Sequence, residues 1–491
     1  MAVVFIGRLA QLQIIEGELY KQESETQAIK KIVVEPFRGN MYDHDGELIV
    51  HNKPSFSVTL TPNDFKIETM PFLLSIIPVD TFEIIKAISP LYSRHEFKNR
   101  VIPRLDTLIN VNHDSLVKKA FKPGFYTRFT PIKIYRDASF DEISQLEEYN
   151  DYLPGIDVIV EPKRLYQFEG NMAHILGYTR EISPQQLESK KYLRPGDKIG
   201  QRGLEKSYES LLHGSKGVQF VAVNSYGKKI SSFEKGKRDI ASTNGSDLYL
   251  SIKTNVQHKA EELLDGYRGA AVAVDPRNGE VLAMASSPDF DPRRFSGKIS
   301  QEYYNSVMTD TAKPMYNRCV QSTNSPASTW KVLVAIAALS EGIIDDNTSF
   351  YCPGGMHYGG RFAKCHGAHG NVSVRRAIQA SCNTFFYKVG LKLGIDNFEK
   401  YGNMFGFGKL TGIDLPGEAK GLMPSEKWLD EHTPGGFTKG KLMNYGIGQG
   451  EILVTPLQMA VYTAAIANGG VVHQPHFVRK IKNNITNKLE P

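Results

Sequence analysis

Apolar and polar residues alternate along the first part of the chain, from residue 29 to residue 60. The alternation is interrupted at 36–39 and 45–46 by segments that contain Pro, Gly and Asp, so the pattern predicts short strands joined by tight turns. From about residue 71 to residue 147 the apolar spacing becomes helical, and Ser139 and Glu142 form a capping-type start for one helix. We therefore expect a β-rich N-terminal region that also contains helices.

A polar segment at 231–246, rich in Lys, Ser, Asn and Gly, separates this region from the rest of the chain. Such a composition is typical of a connection between domains. A strand at 248–252 and an amphipathic helix at 256–264 are predicted directly after it. We therefore predict one domain over residues 20–245 and a second over residues 246–491.

The next segment carries the pattern of a β-hairpin. Two apolar runs, 270–275 and 280–285, flank a Pro-Arg-Asn-Gly sequence that ends at Gly279, and an Asn-Gly pair tolerates the positive φ that tight reversals require. Everything beyond the hairpin is predicted to be mostly helical, with long loops at 345–372 and 414–442.

Length and composition limit the classes of protein to be considered. A chain of 491 residues is too long for a single core, and 41% hydrophobic with 23% charged residues excludes a disordered or collagen-like chain. The net charge of +6 is spread along the sequence, without the basic tract that a nucleic-acid reader needs. We therefore expect no nucleic-acid partner, whereas a mild positive charge suits a protein that stands over anionic phospholipid.

The N-terminal segment 1–15 is apolar but is interrupted by Arg8, and it is shorter than the roughly 20 residues of a membrane-spanning helix. Two interpretations are open: an amphipathic helix that packs on its own domain, or the outer end of a signal-anchor helix. We favour the second, and predict that residues 1–19 are the remnant of a membrane anchor.

Ser328 and Lys331 lie three residues apart at the start of a helix, and the stretch 332–339 that follows is wholly apolar. This spacing places a hydroxyl beside an amine that can take its proton. Burial favours the neutral form of a lysine, and the backbone N–H of the serine points to the place where an oxyanion would form. The pair is a candidate nucleophile and base, although a helix N-cap followed by a surface lysine gives the same pattern. Ser232 and Lys235 share the spacing but lack the apolar run.

A second element, Ser381-Cys382-Asn383, is predicted to lie in a bend between two short helices or within one interrupted helix. In that position Ser381 can relay a proton between Lys331 and a leaving amine, and Asn383 can hydrogen-bond the backbone of a peptide substrate. A polar helix face is the alternative. We predict a catalytic group of Ser328, Lys331, Ser381 and Asn383 that needs no cofactor.

Three of the four cysteines form another candidate site. Cys352, Cys365 and Cys382 supply three thiolates, and with the imidazole of His369 they match a closed tetrahedral zinc site. A disulfide between Cys352 and Cys365 is the alternative. We favour zinc because it gives His369 and Cys382 a role and pins the predicted bend to the long loop before it. Cys319 is predicted to be a small buried residue and not a ligand.

Taken together, these motifs resemble the penicillin-binding proteins, and the similarity extends over nearly the whole chain. Within class B of that family, the chain most resembles the elongation-type group called penicillin-binding protein 2. The resemblance implies an α+β protein, with a β-rich pedestal domain followed by an α/β-sandwich transpeptidase domain like that of the serine β-lactamases. The segments that carry it, besides the two motifs above, are 38–46, 200–208, 269–288, 407–416, 446–450 and 455–458.

The resemblance also implies an activity, a location and partners. It implies a peptidoglycan D,D-transpeptidase of cell elongation, in which Ser328 attacks the penultimate D-Ala carbonyl of a stem peptide, releases D-Ala and passes the acyl group to the amine of a neighbouring stem. β-Lactams acylate the same serine. Members are anchored in the cytoplasmic (inner) membrane by a single span with most of the chain in the periplasm, and they work with a lipid-linked precursor beside a SEDS-family glycan polymerase of the elongation complex.

Two departures from the family pattern are visible. The usual Pro-Gly before the nucleophile is Pro326-Ala327, which a backbone with negative φ would tolerate. The Lys-Thr-Gly motif, which normally provides the second oxyanion N–H, is absent from the 491 residues, and the loss of one oxyanion donor costs about a hundredfold or more in rate. We interpret both ends as cut, and expect an unpaired edge on the 270–285 hairpin and an impaired activity.

The resemblance leaves the function and the metal site to be decided. The alternative functions are a catalytically impaired scaffold that binds a SEDS-family polymerase and a division-type class B transpeptidase, while a β-lactam sensor or a β-lactamase is less favoured.

Some enzymes that resemble penicillin-binding protein 2 carry a structural metal in the region of the three cysteines. His369 and Cys382 match their ligand positions, and carboxylates stand there in place of Cys352 and Cys365.

Overall fold

The computed structural model describes residues 29–92, 94–104, 131–189, 193, 196–223, 229–296 and 299–490. The described chain mixes helices and strands, as the sequence predicts. None of its helices has both the length and the apolar character that crossing a membrane requires. The anchor remnant predicted at 1–19 lies outside the described residues.

The strands form one large mixed sheet and several small sheets. The strands are β1 (Ile29–Val34), β2 (Met41–Tyr42), β3 (Leu48–Leu60), β4 (Ile132–Ala138), β5 (Ile156–Tyr166), β6 (Thr179–Glu181), β7 (Lys198–Gly200), β8 (Gly217–Val223), β9 (Lys229–Ser232), β10 (Asp247–Leu250), β11 (Gly269–Val274), β12 (Val281–Ser287), β13 (Ser349–Cys352), β14 (Gly355–Tyr358), β15 (Arg361–Lys364), β16 (Gly370–Ser373), β17 (Val478–Asn483) and β18 (Lys488–Glu490).

The helices dominate the second half of the chain. The α-helices are α1 (Met70–Ile76), α2 (Thr81–Ile88), α3 (Arg94–Glu96), α4 (Phe140–Glu148), α5 (Ala173–Leu176), α6 (Pro184–Ser189), α7 (Gly203–Ser207), α8 (Glu209–Leu212), α9 (Thr254–Leu264), α10 (Gln301–Thr309), α11 (Arg318–Gln321), α12 (Lys331–Ser340), α13 (Val374–Gln379), α14 (Asn383–Met404), α15 (Glu426–His432), α16 (Lys441–Gly446) and α17 (Pro456–Ala467).

The large sheet has the strand order β18-β17-β10-β2-β3-β4, and β5 also pairs with β3. β10 and β2 are parallel, whereas the other neighbours are antiparallel. β10, β17 and β18 follow the polar segment at 231–246 in the sequence, so this sheet contains strands from both sides of the predicted domain boundary. The boundary itself stays a prediction.

Several local predictions are confirmed. The segment 29–60 forms β1, β2 and β3. Ser139 and Glu142 make a capping box at the start of α4, in which each side chain accepts a hydrogen bond from the backbone N–H of the other residue. β11 pairs with β12 in the predicted hairpin, and Gly279 has the positive φ of 86° that its turn requires.

The long loop predicted at 345–372 is wrong. This segment forms two small antiparallel pairs, β13 with β16 and β14 with β15. Gly359 and Gly360 join β14 to β15 with φ values of 56° and 77°, a turn in which both central residues need positive φ. Strands of four residues are too short for an alternation to stand out, so the Gly-Gly pair was the informative signal. The second predicted loop, at 414–442, contains α15.

The second half of the molecule is built around α12, whose core also includes residues of α14, α16 and α17. A helix that is apolar on all sides is stable only in such an enclosed position. A glycine cap ends the helix: Gly342 has a φ of 66°, and Ile343 N donates to Ala338 O at 2.9 Å. The fully buried side chains of α12 include Leu333, Val334, Ala337 and Ala338.

A short segment after β5 connects the N-terminal part of the chain to α9 and to the end of β12. The backbone N–H groups of Asn171 and Met172 donate to the carboxylate of Glu261 at 2.7 and 2.9 Å. The Asn171 side chain donates to Asp289 Oδ1 at 2.8 Å. Met172 is buried and has a φ of 45°, a conformation that costs about 1–3 kcal/mol. The two acidic side chains therefore hold a strained segment in place.

Asp289 makes this connection dependent on pH. Burial raises the pKa of its carboxyl from 3.8 to about 7, and the charges of Glu261 and Asp291 add to the rise, whereas the hydrogen bond from Asn171 opposes it. Because the folded protein binds this proton more tightly than the unfolded chain, the stability that the proton contributes is lost as the pH rises from about 4 to about 7.

We expect Asp289→Asn, which keeps an acceptor oxygen but cannot ionise, to remove this loss. The unfolding free energy of Asp289→Asn minus that of the parent protein should increase by about 1–3 kcal/mol between about pH 5 and about pH 8. Denaturant unfolding of both proteins at the two pH values measures this difference. Asp265→Asn is the matched control, because Asp265 is an exposed acid that lines the same surface cavity as Asp289. Parallel pH curves for the parent protein and Asp289→Asn would contradict the assignment.

Candidate active site

The candidate nucleophile lies in a single helical turn, residues 327–330, that leads directly into α12. Trp330 is fully buried, and its ring packs against Phe407 with centroids 5.0 Å apart. This contact anchors the turn to the core and leaves Ser328 exposed. Lys331, one helical turn further on, is only 2% exposed. The hydroxyl is therefore open to a substrate, while the amine beside it is shielded from water.

The structure brings the four predicted catalytic residues together. Lys331 Nζ lies 3.2 Å from Ser328 Oγ, 2.8 Å from Ser381 Oγ and 2.9 Å from Ser381 O. It also donates to Asn383 Oδ1 at 2.7 Å, and the two serine hydroxyls are 3.1 Å apart. The alternative interpretations, a surface lysine and a polar helix face, are wrong for these residues.

The surroundings of Lys331 favour its neutral form. Burial lowers the pKa of its amine below 10.5, although the nearby thiols of Cys365 and Cys382 oppose this in part. A neutral amine has two N–H groups, which the Ser381 carbonyl and Asn383 Oδ1 can accept. Its lone pair is then free to receive the proton of a serine hydroxyl. The site can therefore use Lys331 as a base.

Ser381 and Asn383 are presented by the predicted bend. α13 ends at Gln379, and α14 begins at Asn383. Ser381 has a φ of 48°, a left-handed conformation that is uncommon for a residue other than glycine. Cys382 N donates to Ala377 O at 2.8 Å, which closes the turn at the end of α13. This strained bend directs the Ser381 hydroxyl back to the start of α12.

Ala327 does not have the negative φ under which alanine would be tolerated at this position without strain, because its φ is 51°. The backbone of Gly448 determines this conformation: Ala327 N donates to Gly448 O at 2.8 Å. Gly448 itself has a φ of 69°, and a Cβ there would lie 2.3 Å from Ala327 O and 2.5 Å from Trp330 Cβ. The segment 446–450 therefore supports the turn that carries Ser328. Sequence reasoning assigned no such role to Gly448, because the contact spans more than a hundred positions of sequence.

The four predicted metal ligands also form one cluster. Cys352 Sγ and Cys365 Sγ each lie 3.6 Å from His369 Nδ1, Cys365 Sγ lies 3.9 Å from Cys382 Sγ, and all four ligand atoms lie within 4.8 Å of one another. Tetrahedral zinc, with Zn–S of about 2.3 Å and Zn–N of about 2.0 Å, requires separations of about 3.8 Å between sulfurs and about 3.6 Å between sulfur and nitrogen. The cluster therefore has the dimensions of a zinc site.

The thiols of this cluster differ in acidity. At Cys352, burial raises the pKa, but hydrogen bonds from Thr384 and from backbone N–H groups outweigh burial and bring the pKa to about 7. At Cys382, burial and the two neighbouring thiols raise the pKa to about 12. Three thiolates at this separation need a cation between them, so the donor set fits a metal. All four cysteines of the chain are free thiols, and the fourth, Cys319, is buried as predicted.

Comparison with known protein families matches most of the chain in two parts. Residues 33–250 match the penicillin-binding protein dimerisation domain, and residues 269–491 match the penicillin-binding protein transpeptidase domain. The catalytic group and the cysteine cluster both lie within the second match. The two matched domains confirm the expected combination of a pedestal domain with a transpeptidase domain.

Curated relatives and solved structures agree with this assignment. The chain is 34% identical to peptidoglycan D,D-transpeptidase MrdA of Acinetobacter baumannii over 97% of its own length and 67% of that protein. It is 30% identical to MrdA of Haemophilus influenzae, over 99% of this chain and 71% of that one. Penicillin-binding protein 2 of Helicobacter pylori, solved in complex with MreC, has a TM-score of 0.75 at 28% identity, covering 94% of this chain and 81% of that one. The chain therefore belongs to the penicillin-binding protein family, as a serine-type transpeptidase of class B and of the penicillin-binding protein 2 type.

Proposed function

We propose that this protein cross-links peptidoglycan stem peptides during cell elongation, with Ser328 as the nucleophile of a D,D-transpeptidase. The observation that carries the proposal is the triangle formed by Ser328 Oγ, Lys331 Nζ and Ser381 Oγ, whose sides are 3.2, 2.8 and 3.1 Å. In such a triangle a proton can leave the nucleophile, rest on a base and pass on through a second hydroxyl. The relatives from Acinetobacter baumannii and Haemophilus influenzae are peptidoglycan D,D-transpeptidases, which supports the choice of substrate.

Acylation begins when Ser328 Oγ attacks the carbonyl carbon of the penultimate D-Ala of a stem peptide, while its proton moves to neutral Lys331. The oxyanion that results lies near the backbone N–H of Ser328, at the positive end of α12. When the C–N bond breaks, the leaving D-Ala amine takes a proton from Ser381 Oγ, which in turn takes one from Lys331 Nζ. The products are free D-Ala and an ester between Ser328 and the stem.

Deacylation reverses these roles. The side-chain amine of a neighbouring stem attacks the ester carbonyl, and Lys331 accepts a proton from that amine, directly or through Ser381. The new amide bond forms as the Ser328 Oγ–C bond breaks, and the serine recovers its proton. A β-lactam enters the same path at the first step, because its strained amide carbonyl takes the place of the D-Ala carbonyl.

We further infer that the protein is anchored in the cytoplasmic membrane and acts on its outer side. There it would meet the lipid-linked precursor and a SEDS-family glycan polymerase of the elongation complex. Two solved structures of similar proteins support partners of this kind: one is a complex with MreC, and the other is a peptidoglycan synthase complex that coordinates polymerization and crosslinking. That second structure has a TM-score of 0.66 at 26% identity.

The experiment that tests the proposed activity combines covalent labelling by a fluorescent penicillin with the release of D-Ala from a stem pentapeptide. An active transpeptidase gives both signals, and cross-linked product appears when an acceptor stem is added. A scaffold without catalysis gives neither signal. Depletion in cells then separates the two cellular roles, because loss of an elongation enzyme changes the cell shape, whereas loss of a division enzyme blocks septation.

We also propose that the cysteine cluster holds a structural zinc ion, with Cys352, Cys365, His369 and Cys382 as ligands. The distances between these atoms and the need of three crowded thiolates for a cation support the proposal. Zinc would stabilise the hairpins at 349–373 against the bend that carries the catalytic residues. It takes no part in the acyl transfer.

Metal analysis tests the zinc proposal. Protein purified without chelator should contain about one zinc per chain, and Cys382→Ser should lose the metal and melt at a lower temperature. Cys319→Ser is the matched control, because Cys319 is equally buried but lies against Ala285 O at 3.1 Å and outside the cluster. Metal-free protein with a Cys352–Cys365 disulfide, detected by mass spectrometry, would support the alternative.

A further inference from the structure

The segment 349–373, which contains two small hairpins, lies along the first two turns of α14, the helix that presents Asn383. Several contacts between the two elements are close. They are the rings of Phe350 and Phe385 with centroids 5.2 Å apart, Cys352 Sγ at 3.2 Å from Thr384 Oγ1, and Lys388 Nζ donating to Tyr351 O at 3.2 Å. This segment therefore braces the start of α14.

One backbone group of the segment reaches the active site. The carbonyl oxygen of Lys364, at the end of β15, lies 3.5 Å from Asn383 Nδ2 and 3.3 Å from Tyr387 Oη. Tyr387 follows Asn383 by one helical turn, so both side chains lie on the same face of α14. It is buried, and burial raises the pKa of its hydroxyl, which therefore acts as a neutral donor. Two side-chain donors thus share one carbonyl acceptor.

This shared carbonyl determines which way the Asn383 amide points. Asn383 Oδ1 accepts from Lys331 Nζ at 2.7 Å, and its NH₂ group faces Lys364 O. If the amide were rotated by half a turn, its N–H donors would face the lysine donors and its oxygen would face the Lys364 oxygen. Both new contacts are repulsive. The orientation in which Asn383 Oδ1 accepts from Lys331 Nζ therefore depends on the Lys364 carbonyl, which lies on the other side of the amide.

We propose that Tyr387 is a positioning residue of the acyl-transfer site, whose hydroxyl holds the Lys364 carbonyl in place so that this carbonyl fixes the amide of Asn383 against Lys331. The inference rests on the proposed function, because it gives Tyr387 a task in that acyl transfer. Tyr387 itself does not touch the reacting atoms. The donor–acceptor distances to Lys364 O, 3.5 Å from the Asn383 amide and 3.3 Å from the Tyr387 hydroxyl, are longer than those of typical hydrogen bonds, so each donor alone restrains the carbonyl only weakly. The Tyr387 hydroxyl supplies the second restraint from inside the core.

The test is Tyr387→Phe, which keeps the ring in the core and removes only the hydroxyl. We expect a thermal melting temperature close to that of the parent protein and a second-order rate of acylation by benzylpenicillin about tenfold lower, the effect of one lost hydrogen bond. The pH profile of acylation should shift to lower pH, because an Asn383 oxygen that leaves Lys331 no longer stabilises the ammonium form. A merely structural role would not move this profile.

Tyr401→Phe is the matched control. Tyr401 is a second buried tyrosine of α14, and its hydroxyl donates to Glu341 Oε1 at 2.9 Å, away from the catalytic group. Its removal should leave the rate and the pH profile of acylation unchanged. A Tyr387→Phe protein that acylates at the parental rate with the parental pH profile would overturn the proposal.

A crystal structure of Tyr387→Phe separates this inference from the proposed function. We expect the Lys364 carbonyl to move and the Asn383 oxygen to leave Lys331 Nζ. If the parent protein is not acylated by penicillin, the proposed function fails, but the position of Asn383 in the variant still decides the role of Tyr387. An Asn383 oxygen that remains within hydrogen-bond distance of Lys331 Nζ would refute the positioning role.

Discussion

Replacing Ser328 by alanine should abolish covalent labelling of the protein by a fluorescent penicillin and abolish the release of D-Ala from a stem peptide. Loss of a catalytic nucleophile costs about a millionfold in rate in a serine hydrolase whose residues act as a unit, so no labelled band is expected. The melting temperature should stay close to that of the parent protein, because Ser328 is exposed and Trp330, not the serine, anchors its turn.

Ser325→Ala is the matched control for this loss. Ser325 is an exposed serine three positions earlier, and its hydroxyl reaches only Gly450 O at 3.5 Å among the hydrogen bonds of the described residues. Its removal should leave labelling intact. Labelling that persists in Ser328→Ala at the parental rate would show that another residue is acylated, and mass spectrometry of the labelled peptide would identify it.

The local parts of this site were readable from the sequence because they depend on short spacings. Ser328 and Lys331 are three positions apart, so any helix places them on one face. The uniform apolar character of 332–339 is a property of composition, and it predicted that α12 lies inside a core. The capping box at Ser139 and the turn at Gly279 were predicted for the same reason.

The parts that depend on distant segments were not readable from spacing. Nothing local shows that Ser381 lies 2.8 Å from Lys331 Nζ across fifty positions of sequence; the two motifs were paired on the chemical roles of their side chains and on the family resemblance, not on their spacing. Ala327, with its positive φ, donates its backbone N–H to Gly448 O, which belongs to a different turn more than a hundred positions away. The role of Tyr387 depends on a backbone carbonyl, which no side-chain motif records.

The cysteine cluster was readable from the sequence only in part. Its residue types indicated a metal, because three thiols and an imidazole match the ligands that zinc prefers. The spacing of the ligands is not that of a zinc finger, since β14 and β15 are inserted between Cys352 and Cys365. Only the pairing of β13 with β16 brings Cys352 opposite Gly370, next to His369. The residue types therefore suggested the proposed ligand set, whereas the geometry that brings the four side chains together required the fold.

In the proposed acyl transfer, Lys331 is the base that takes the proton of Ser328. Among the described residues, the side chains that hydrogen-bond to Ser328 Oγ are those of Lys331 and Ser381, and the lysine amine is the stronger base. Its amine accepts the serine proton only when neutral, so the acylation rate should follow the neutral fraction of Lys331. Burial lowers the pKa of this amine, which moves the rise in rate to a pH below the ordinary 10.5 of a lysine. The rate of the parent protein should therefore increase with pH and then level off.

Lys331→Met should lower the rate of penicillin acylation by about a hundredfold to ten-thousandfold, the range for loss of a general base, and should remove the rise with pH. Methionine has a similar length and no desolvation cost, whereas it leaves the acceptors Ser381 O and Asn383 Oδ1 without the lysine donor, so the melting temperature is measured in parallel to establish that the variant is folded. The measurement is the acylation rate as a function of pH, with Lys392→Met, an exposed lysine of α14, as the control. A Lys331→Met protein that kept the parental pH profile would assign the base to another group, and Ser328 would then have to lose its proton by a path other than the hydrogen bonds that the described residues make to it.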